Sequence, residues 1–530
     1  MYSIHYLQNS SPLAFKTASE AESVQDKSSP ESPSLPSRKT KRSNNNDLPK
    51  GWVMDTVPEK APRDITSKID SSNIINEKRQ QFAKAAALFN PNTPKTYLEA
   101  ISSSSSEYWK RAIDDEIASI EGNQVWLPVP IPNGANLLGS TWVFCLKENE
   151  SGIIMRHKAR LCVQGFSQIE GVDYNNTYAP TGRLASLRFL LSYCATYNNE
   201  LQQMDVRTAF LHGVTKENVF MKYPQGYPHK KEPGTCLKPV KSLYGLKQSP
   251  ICWYQKLSEV FSSFDFKPCQ ANPCLFIKKA SSFCAVYVHV DDILIGGVKE
   301  AVESFKINIK EIFKMDNIGD VSYLLGIKIK QNRRNGTILL SQQLYIDRIL
   351  KEFGMENCKS VSIPMDPNFK LIPSTDSNQD LSFSFRKAVG LLNYLTSCSR
   401  PNLAYVTSIL SQFLEQPSVI HVAAFKRVLC YLQGTRSLEL SLGGFQDSLN
   451  ILGYSNSDWG NNFDGCSFSG YGILCGGLVM WKSKKQPSVA LSSTEAELRS
   501  MTKCAQDILW VRKLLSDFGI SLNSHLCCDN

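Results

Sequence analysis

Between residues 285 and 290 apolar side chains alternate with period two: Val286, Val288 and Val290 share one face, and Ala285, Tyr287 and His289 share the other. Asp291 and Asp292 follow, and the apolar "ILIGG" after them lets the chain return. The stretch "VYVHVDDILIGG" therefore predicts a hairpin with both acids at its tip. Elsewhere the period lengthens. In "ASLRFLLSYCATY", Leu187, Leu190, Leu191 and Cys194 recur at i, i+3, i+4, i+7 and predict a helix. Tyr108, Ile113, Ile117 and Ile120 form a second helical stripe, and "HVAAFKRVLCYLQGT" a third helix. "LQQMDV" reads as a short strand. From Trp126 to Ile363 such strands, turns and helices are mixed; a polar break, "DPNFKLIPSTDSNQD", opens at Asp366; from Leu449 the pattern becomes strand, hairpin, helix.

Composition sharpens this outline at one end. Residues 1–90 are rich in Ser, Pro, Lys and Asn, too polar to bury the surface that offsets chain entropy, and are expected to be disordered. Their "RKTKR" run, Arg38 to Arg42, reads as a solvated charge run, a nuclear-import signal or a phosphate-binding tether. The remainder is different: 42% of the 530 residues are hydrophobic, enough for several cores. A net charge of +10 is compatible with a polyanionic partner without specifying one. The sixteen cysteines show no CxxC pair and no zinc-like Cys/His spacing, and no secretory signal precedes them. They read as reduced, mostly buried thiols of an intracellular protein. No apolar run reaches the roughly 18 residues of a membrane span.

An Asp–Asp pair inside an apolar run needs a reason, because carboxylates repel each other and resist burial. A divalent cation reverses the penalty, and hard oxygen ligands favour magnesium. Asp205, at the end of "LQQMDV", is a third acid in a matching context. Two cations about 3.5–4 Å apart can activate an attacking oxygen and stabilise a leaving one in phosphoryl transfer. Asp205 and Asp291 would bridge them with Asp292 in support. The plainer reading of each acid is a cap or a structural carboxylate at a strand end.

Six longer motifs bear on that choice: "KARLCVQGFSQIEGVDYNNTYAP", "QMDVRTAFLHG", "SLYGLKQSPICWY", "HVDDILIGG", "YLLGIKI" and "LSQQLYIDRILKEFGM". In this order and at these intervals, from about residue 95 onward, the chain resembles the reverse transcriptase and ribonuclease H region of a copia-type (Ty/copia) long-terminal-repeat retrotransposon Pol polyprotein, truncated at both ends. The resemblance implies an α+β fold. Fingers, palm and thumb of a right-hand polymerase would occupy 95–365, a helical connection 366–448 and a truncated α/β ribonuclease H-like domain 449–530. Residues 1–90 resemble the spacer between integrase and polymerase. It further implies that Asp205, Asp291 and Asp292 hold two Mg²⁺ ions, with Mn²⁺ an alternative, and that RNA or DNA template–primer and dNTPs are the partners. Phe210 would be the steric gate against a ribose 2′-OH. Lys158 or Arg160 would clamp the triphosphate, and Gly245 would let backbone approach nucleotide and template. His289 would touch primer or support the hairpin, and Leu325, Gly326 and Ile327 would form the primer-gripping turn.

For the last eighty or so residues the resemblance points to Glu495 as the helical metal-binding glutamate, with Glu497 the weaker candidate, and to Asp529 as a later acid. Two departures count against activity. The family's usual "SDADW" reads "SNSDW" here, so Asn456 stands where the first acid is expected, and Asp458 substitutes only if the register slips by two. The final acid-bearing segment is also missing. An inactive ribonuclease H remnant is expected. The alternative to an active polymerase is a catalytically inert relic that at most binds nucleic acid.

Overall fold

In a computed structural model the described residues are 93–148, 154–229, 232–279, 282–366, 369–373, 383–444 and 449–528. The head expected to be disordered, its "RKTKR" run and Asp529 lie outside them. Helix α1 (Ser106–Gly122) buries Trp109, Ile113, Ile117 and Ile120. The expected stripe is therefore corrected at one position: Tyr108 is 61% exposed and Trp109 1%. Trp109 precedes Ile113 by one helical turn, whereas Tyr108 is rotated off that face. The stripe packs against a long antiparallel ribbon, β1 (Ser140–Glu148) and β2 (Ile154–Val163), through Phe144, Ala159 and Leu161.

Helix α2 (Leu184–Thr196) leads into β3 (Glu200–Val206), and after α3 (Ser249–Ser263) come β4 (Leu275–Lys279), β5 (Phe283–His289) and β6 (Asp292–Gly297). Helix α4 (Lys299–Ile312) and β7 (Met315–Asp320) complete the central sheet, whose strand order is β7-β3-β6-β5-β4 with Lys267–Pro268 at the far edge, antiparallel throughout. Because side chains alternate, Met204, Val206, Val286, Val288, Ile293 and Ile295 bury against α3 and α4. Leu201, Ala285, Tyr287 and Leu294 bury on the opposite face, where α2 packs.

Beyond the sheet, β8 (Tyr323–Leu324), β9 (Ile327–Asn332) and β10 (Thr337–Ser341) precede α5 (Gln343–Glu352), α6 (Phe385–Cys398) and α7 (Val419–Gly434). Strand β11 (Leu440–Gly443) then returns to pair with β10. Last come β12 (Ile451–Ser457), β13 (Phe468–Leu474), β14 (Leu478–Lys485), the long helix α8 (Ser493–Asp517) and β15 (Ser524–Cys528). They form a sheet ordered β14-β13-β12-β15 in which only β12 and β15 run parallel. One apolar cluster joins the rear face of the central sheet, α2, the β8–β11 sheet and this last sheet. All sixteen thiols are free, most of them buried. Among the described residues no helix is long and apolar enough to cross a membrane.

Candidate active site

Strand register brings the separated acids together. Asp205, at the end of β3, lies directly opposite Asp292, the first residue of β6, and His289 at the end of β5 lies opposite Asp292 on its other side. Directly paired residues share a face, so these three side chains form one row across the sheet. Asp291 sits in the two-residue turn between β5 and β6. That turn is pinned twice: Trp253 Nε1 donates to the Val290 carbonyl at 2.7 Å, and the Val206 amide donates to the Asp291 carbonyl at 2.9 Å. Val290 has φ +62°, in a position of the tight turn that glycine usually fills. Burial lowers the His289 pKa, with Asp291 opposing it.

The ribbon supplies the cation. On β2, Lys158, Arg160 and Cys162 share a face, and Arg160 Nη2 reaches to 3.7 Å from Asp291 Oδ2. The Arg160 guanidinium also lies 5.0 Å over the Tyr244 ring. Burial alone would lower the Arg160 pKa, but Tyr244, Asp291 and Glu116 raise it overall, so the group is a permanent charge. Phe210 packs edge-on against the other side of this arrangement, its ring 4.9 Å from that of Tyr244 at 75°. Gly245, at φ +94°, is placed where a Cβ would strike the Val163 backbone, while Val163 donates to the Tyr244 carbonyl at 2.8 Å. The close approach it permits here is therefore to the end of β2. Leu325 (φ +50°) and Gly326 (φ +70°) form the two-residue turn between β8 and β9, capped by the Tyr394 hydroxyl on the Leu325 carbonyl. Ile327 is buried at the start of β9.

Three residues near the acids carried no signal strong enough to single them out. Asp316 pairs with Asp205 from the β7 side and is held by Arg207 Nε at 3.0 Å; "KMDNIGD" has no alternation to mark it. Tyr244 joins Arg160 to Phe210. Gln203, two residues before Asp205 on the same face, is 3% exposed and donates through Nε2 to Asp292 Oδ1 at 3.4 Å. Its Oε1 is buried without a partner.

The donor chemistry here suits a hard divalent cation: opposed carboxylates, a third at the turn, and an unfilled buried acceptor beneath them. Among the described residues, however, no three His, Cys, Asp or Glu side chains are drawn into a ready metal-holding group. Asp291 faces Arg160 instead.

In the last sheet, Glu495 is occupied at the surface: Oε2 accepts the Leu491 amide at 2.7 Å, Oε1 pairs with Arg499 at 2.6 Å, and its own amide donates to the Ser492 hydroxyl that caps α8. Glu497 is the buried glutamate of that helix. It accepts the Ser457 amide at 2.7 Å, at the end of β12, and the Cys528 thiol at 3.4 Å. Of the two glutamates it is therefore Glu497, not the more strongly expected Glu495, that is turned toward β12; it shares the buried stripe of Ser500 and Cys504, a three- and seven-residue spacing visible in the sequence. Asn456 is exposed near the end of β12. Asp458 Oδ1 accepts the Phe468 amide at 2.5 Å, a loop-closing bond, and burial raises its pKa.

The reverse transcriptase (RNA-dependent DNA polymerase) family matches residues 123–367. The retrovirus-related Pol polyprotein from transposon TNT 1-94 of Nicotiana tabacum is 33% identical over 468 residues, 86% of this chain and 35% of that protein. The corresponding polyprotein from transposon RE1 of Arabidopsis thaliana is 34% identical over 459 residues, covering 85% of this chain and 31% of the relative. The chain thus spans about a third of the length of these polyproteins. The transposon Ty5-1 protein of Saccharomyces cerevisiae is 31% identical over 313 residues, 58% of this chain and 100% of that protein. The chain belongs to the reverse transcriptase family of copia-type retrotransposon Pol polyproteins.

Proposed function

We propose that the chain is an RNA-directed DNA polymerase that extends a primer 3′-OH with dNTPs on an RNA or DNA template. The central sheet would be the palm, the β1–β2 ribbon with α1 the fingers, and β8–β10 with α5 the thumb. The observation that carries this reading is the register of Asp205 against Asp292 beside the Asp291 turn, at one end of a sheet whose buried side chains are mostly apolar. These three carboxylates would hold Mg²⁺ or Mn²⁺. When bound, such cations supply the positive charge that favours a 3′-alkoxide and a departing pyrophosphate.

The chain's own residues account for the rest. Arg160, next to Asp291, is the better placed of the two ribbon cations to meet a triphosphate; Lys158 lies one pleat further along. Phe210, braced edge-on by Tyr244, would wall the sugar side of the nucleotide pocket. His289 closes the acid row and supports the turn. The Leu325–Gly326 turn, fixed by Tyr394, would bear on the primer. Template–primer would be gripped mainly through phosphates and helix shape, so binding should fall steeply with salt.

Primer extension on poly(rA)–oligo(dT) tests the assignment. Wild type should synthesise DNA, and Asp291→Asn should lose about 100-fold or more, the scale of removing one preorganised charge stabiliser. A folded wild type that binds the duplex but adds no nucleotide would leave the inert, nucleic-acid-binding relic as the reading. The last sheet would be a ribonuclease H-like unit without activity, since the amide of Asn456 cannot neutralise a cation. Metal-dependent cutting of the RNA strand of a labelled hybrid by the same preparation would overturn that.

A further inference from the structure

Burying an unsatisfied carbonyl oxygen is costly, and folded proteins rarely leave one without a reason. Gln203 carries such an oxygen one pleat behind the acid row. Its position is otherwise that of a core residue: it is 3% exposed, faces the same side as Leu201 and lies opposite Leu294, so an apolar side chain would be at home there. Only one of its polar ends is used, the amide Nε2 that donates to Asp292 Oδ1. With the N–H end on a carboxylate, the orientation of the amide is fixed, because reversing it would set oxygen against oxygen.

We infer that Gln203 is a positioning residue for the cation site: its N–H holds Asp292 in the row with Asp205, and its open carbonyl accepts a proton donor that arrives with the hydrated cation. Magnesium dehydrates reluctantly and brings bound waters as donors. The orphaned acceptor is therefore a cost of the empty protein that is relieved on loading, which makes loading more favourable. Groups that orient metal ligands commonly govern affinity by about 10–100-fold. The inference rests on the polymerase reading for the identity of the site, but its prediction concerns binding and stability.

Gln203→Met keeps length and volume while removing both polar atoms. Manganese titration of the full chain by electron paramagnetic resonance, without nucleic acid, should show affinity about 10-fold or more below wild type. Metal-free thermal unfolding should move the other way, to equal or higher temperature, since an orphan has been removed. In primer extension the Mg²⁺ needed for half-maximal rate should rise while the dNTP KM stays put. Gln203→Glu places a charged oxygen at the same point; it should lower the metal-free melting temperature and tighten Mn²⁺ binding. If Gln203→Met fails to fold, Gln203→Glu decides alone. Wild-type Mn²⁺ affinity in either folded variant would overturn the inference. Asp205→Asn separates this from failure of the underlying reading: if that change leaves Mn²⁺ binding intact, the acids are not the cation site at all.

Discussion

A branched Cβ crowds the backbone in the left-handed region, so valine and threonine seldom occupy it. Val290 (φ +62°) and Thr208 (φ +57°) both do, one beside Asp291 and the other three residues after Asp205. Such conformations persist where their surroundings over-determine them. Trp253 pins Val290, and the Thr208 carbonyl accepts the Leu211 amide at 2.9 Å to start the short 3-10 turn that carries Phe210. Thr208 thereby aims the Phe210 ring at Tyr244. Truncating that ring should act on the sugar and leave the acids alone. Phe210→Ala is expected to raise ribonucleotide incorporation relative to deoxynucleotide by about 10–100-fold, the range a pocket wall gives for one small group. Competing single-nucleotide extension with dTTP and UTP measures it, and an unchanged ratio would remove Phe210 from the gate. The acids and Phe210 stand out in the sequence because they sit in dense motifs. Gln203 and Tyr244 do not, although both lie inside those motifs, because their roles depend on a side-chain neighbour from another strand.

Local elements were read well where one face is apolar and poorly where the backbone itself makes the contact. The β5–β6 hairpin, α2, α7 and β3 follow directly from period two or 3.6. Gly245 and Gly326 show the limit. Both have positive φ, so both resist a side chain, yet they differ in what a Cβ would meet. At Gly326 the obstacle is the Tyr394 hydroxyl, the far end of a side chain that can swing away, whereas at Gly245 it is the Val163 carbonyl of β2. Gly326→Ala should cost about 1–3 kcal/mol, mostly left-handed strain. Gly245→Ala should cost more, because β2 or the 245–248 loop has to move bodily. The comparison is made by urea unfolding, with hydrogen exchange in β1 and β2 as the second readout. Equal losses, or no change in ribbon exchange for Gly245→Ala, would contradict the close-approach account. A sequence offers no mark distinguishing the two glycines, since their neighbours come from distant segments, Val163 well before Gly245 and Tyr394 well after Gly326.

Arg188 shows how the last sheet and the central sheet come to share one core. It lies on α2, 6% exposed, donating from Nε to the Val479 carbonyl on β14 at 2.8 Å and from Nη1 to the Ser397 and Cys398 carbonyls of α6 at 2.8 and 3.1 Å. Its guanidinium stacks 3.9 Å over Trp481, whose own N–H donates to the Thr396 carbonyl. Burial brings its pKa down to about 10, which still leaves it charged at neutral pH. Ser192, one turn further on α2, lies 2.7 Å from the Cys475 carbonyl. These partners are more than 200 residues away in the chain, which is why no local pattern announced them. The last sheet is thus a structural back for the central one, whatever chemistry an amide at position 456 permits. Arg188→Met keeps the apolar stem but strands three carbonyls, two of them in buried bonds, and should cost about 3–5 kcal/mol. The way it fails is the sharper test. If the sheets stand on one core, hydrogen exchange should quicken together in α2, β6 and β14, and extension activity should fall with stability although Arg188 touches none of the acids. If exchange quickens in β12–β14 alone while the central sheet keeps its protection and its activity, the last sheet is an appendage and the shared core carries no load between them.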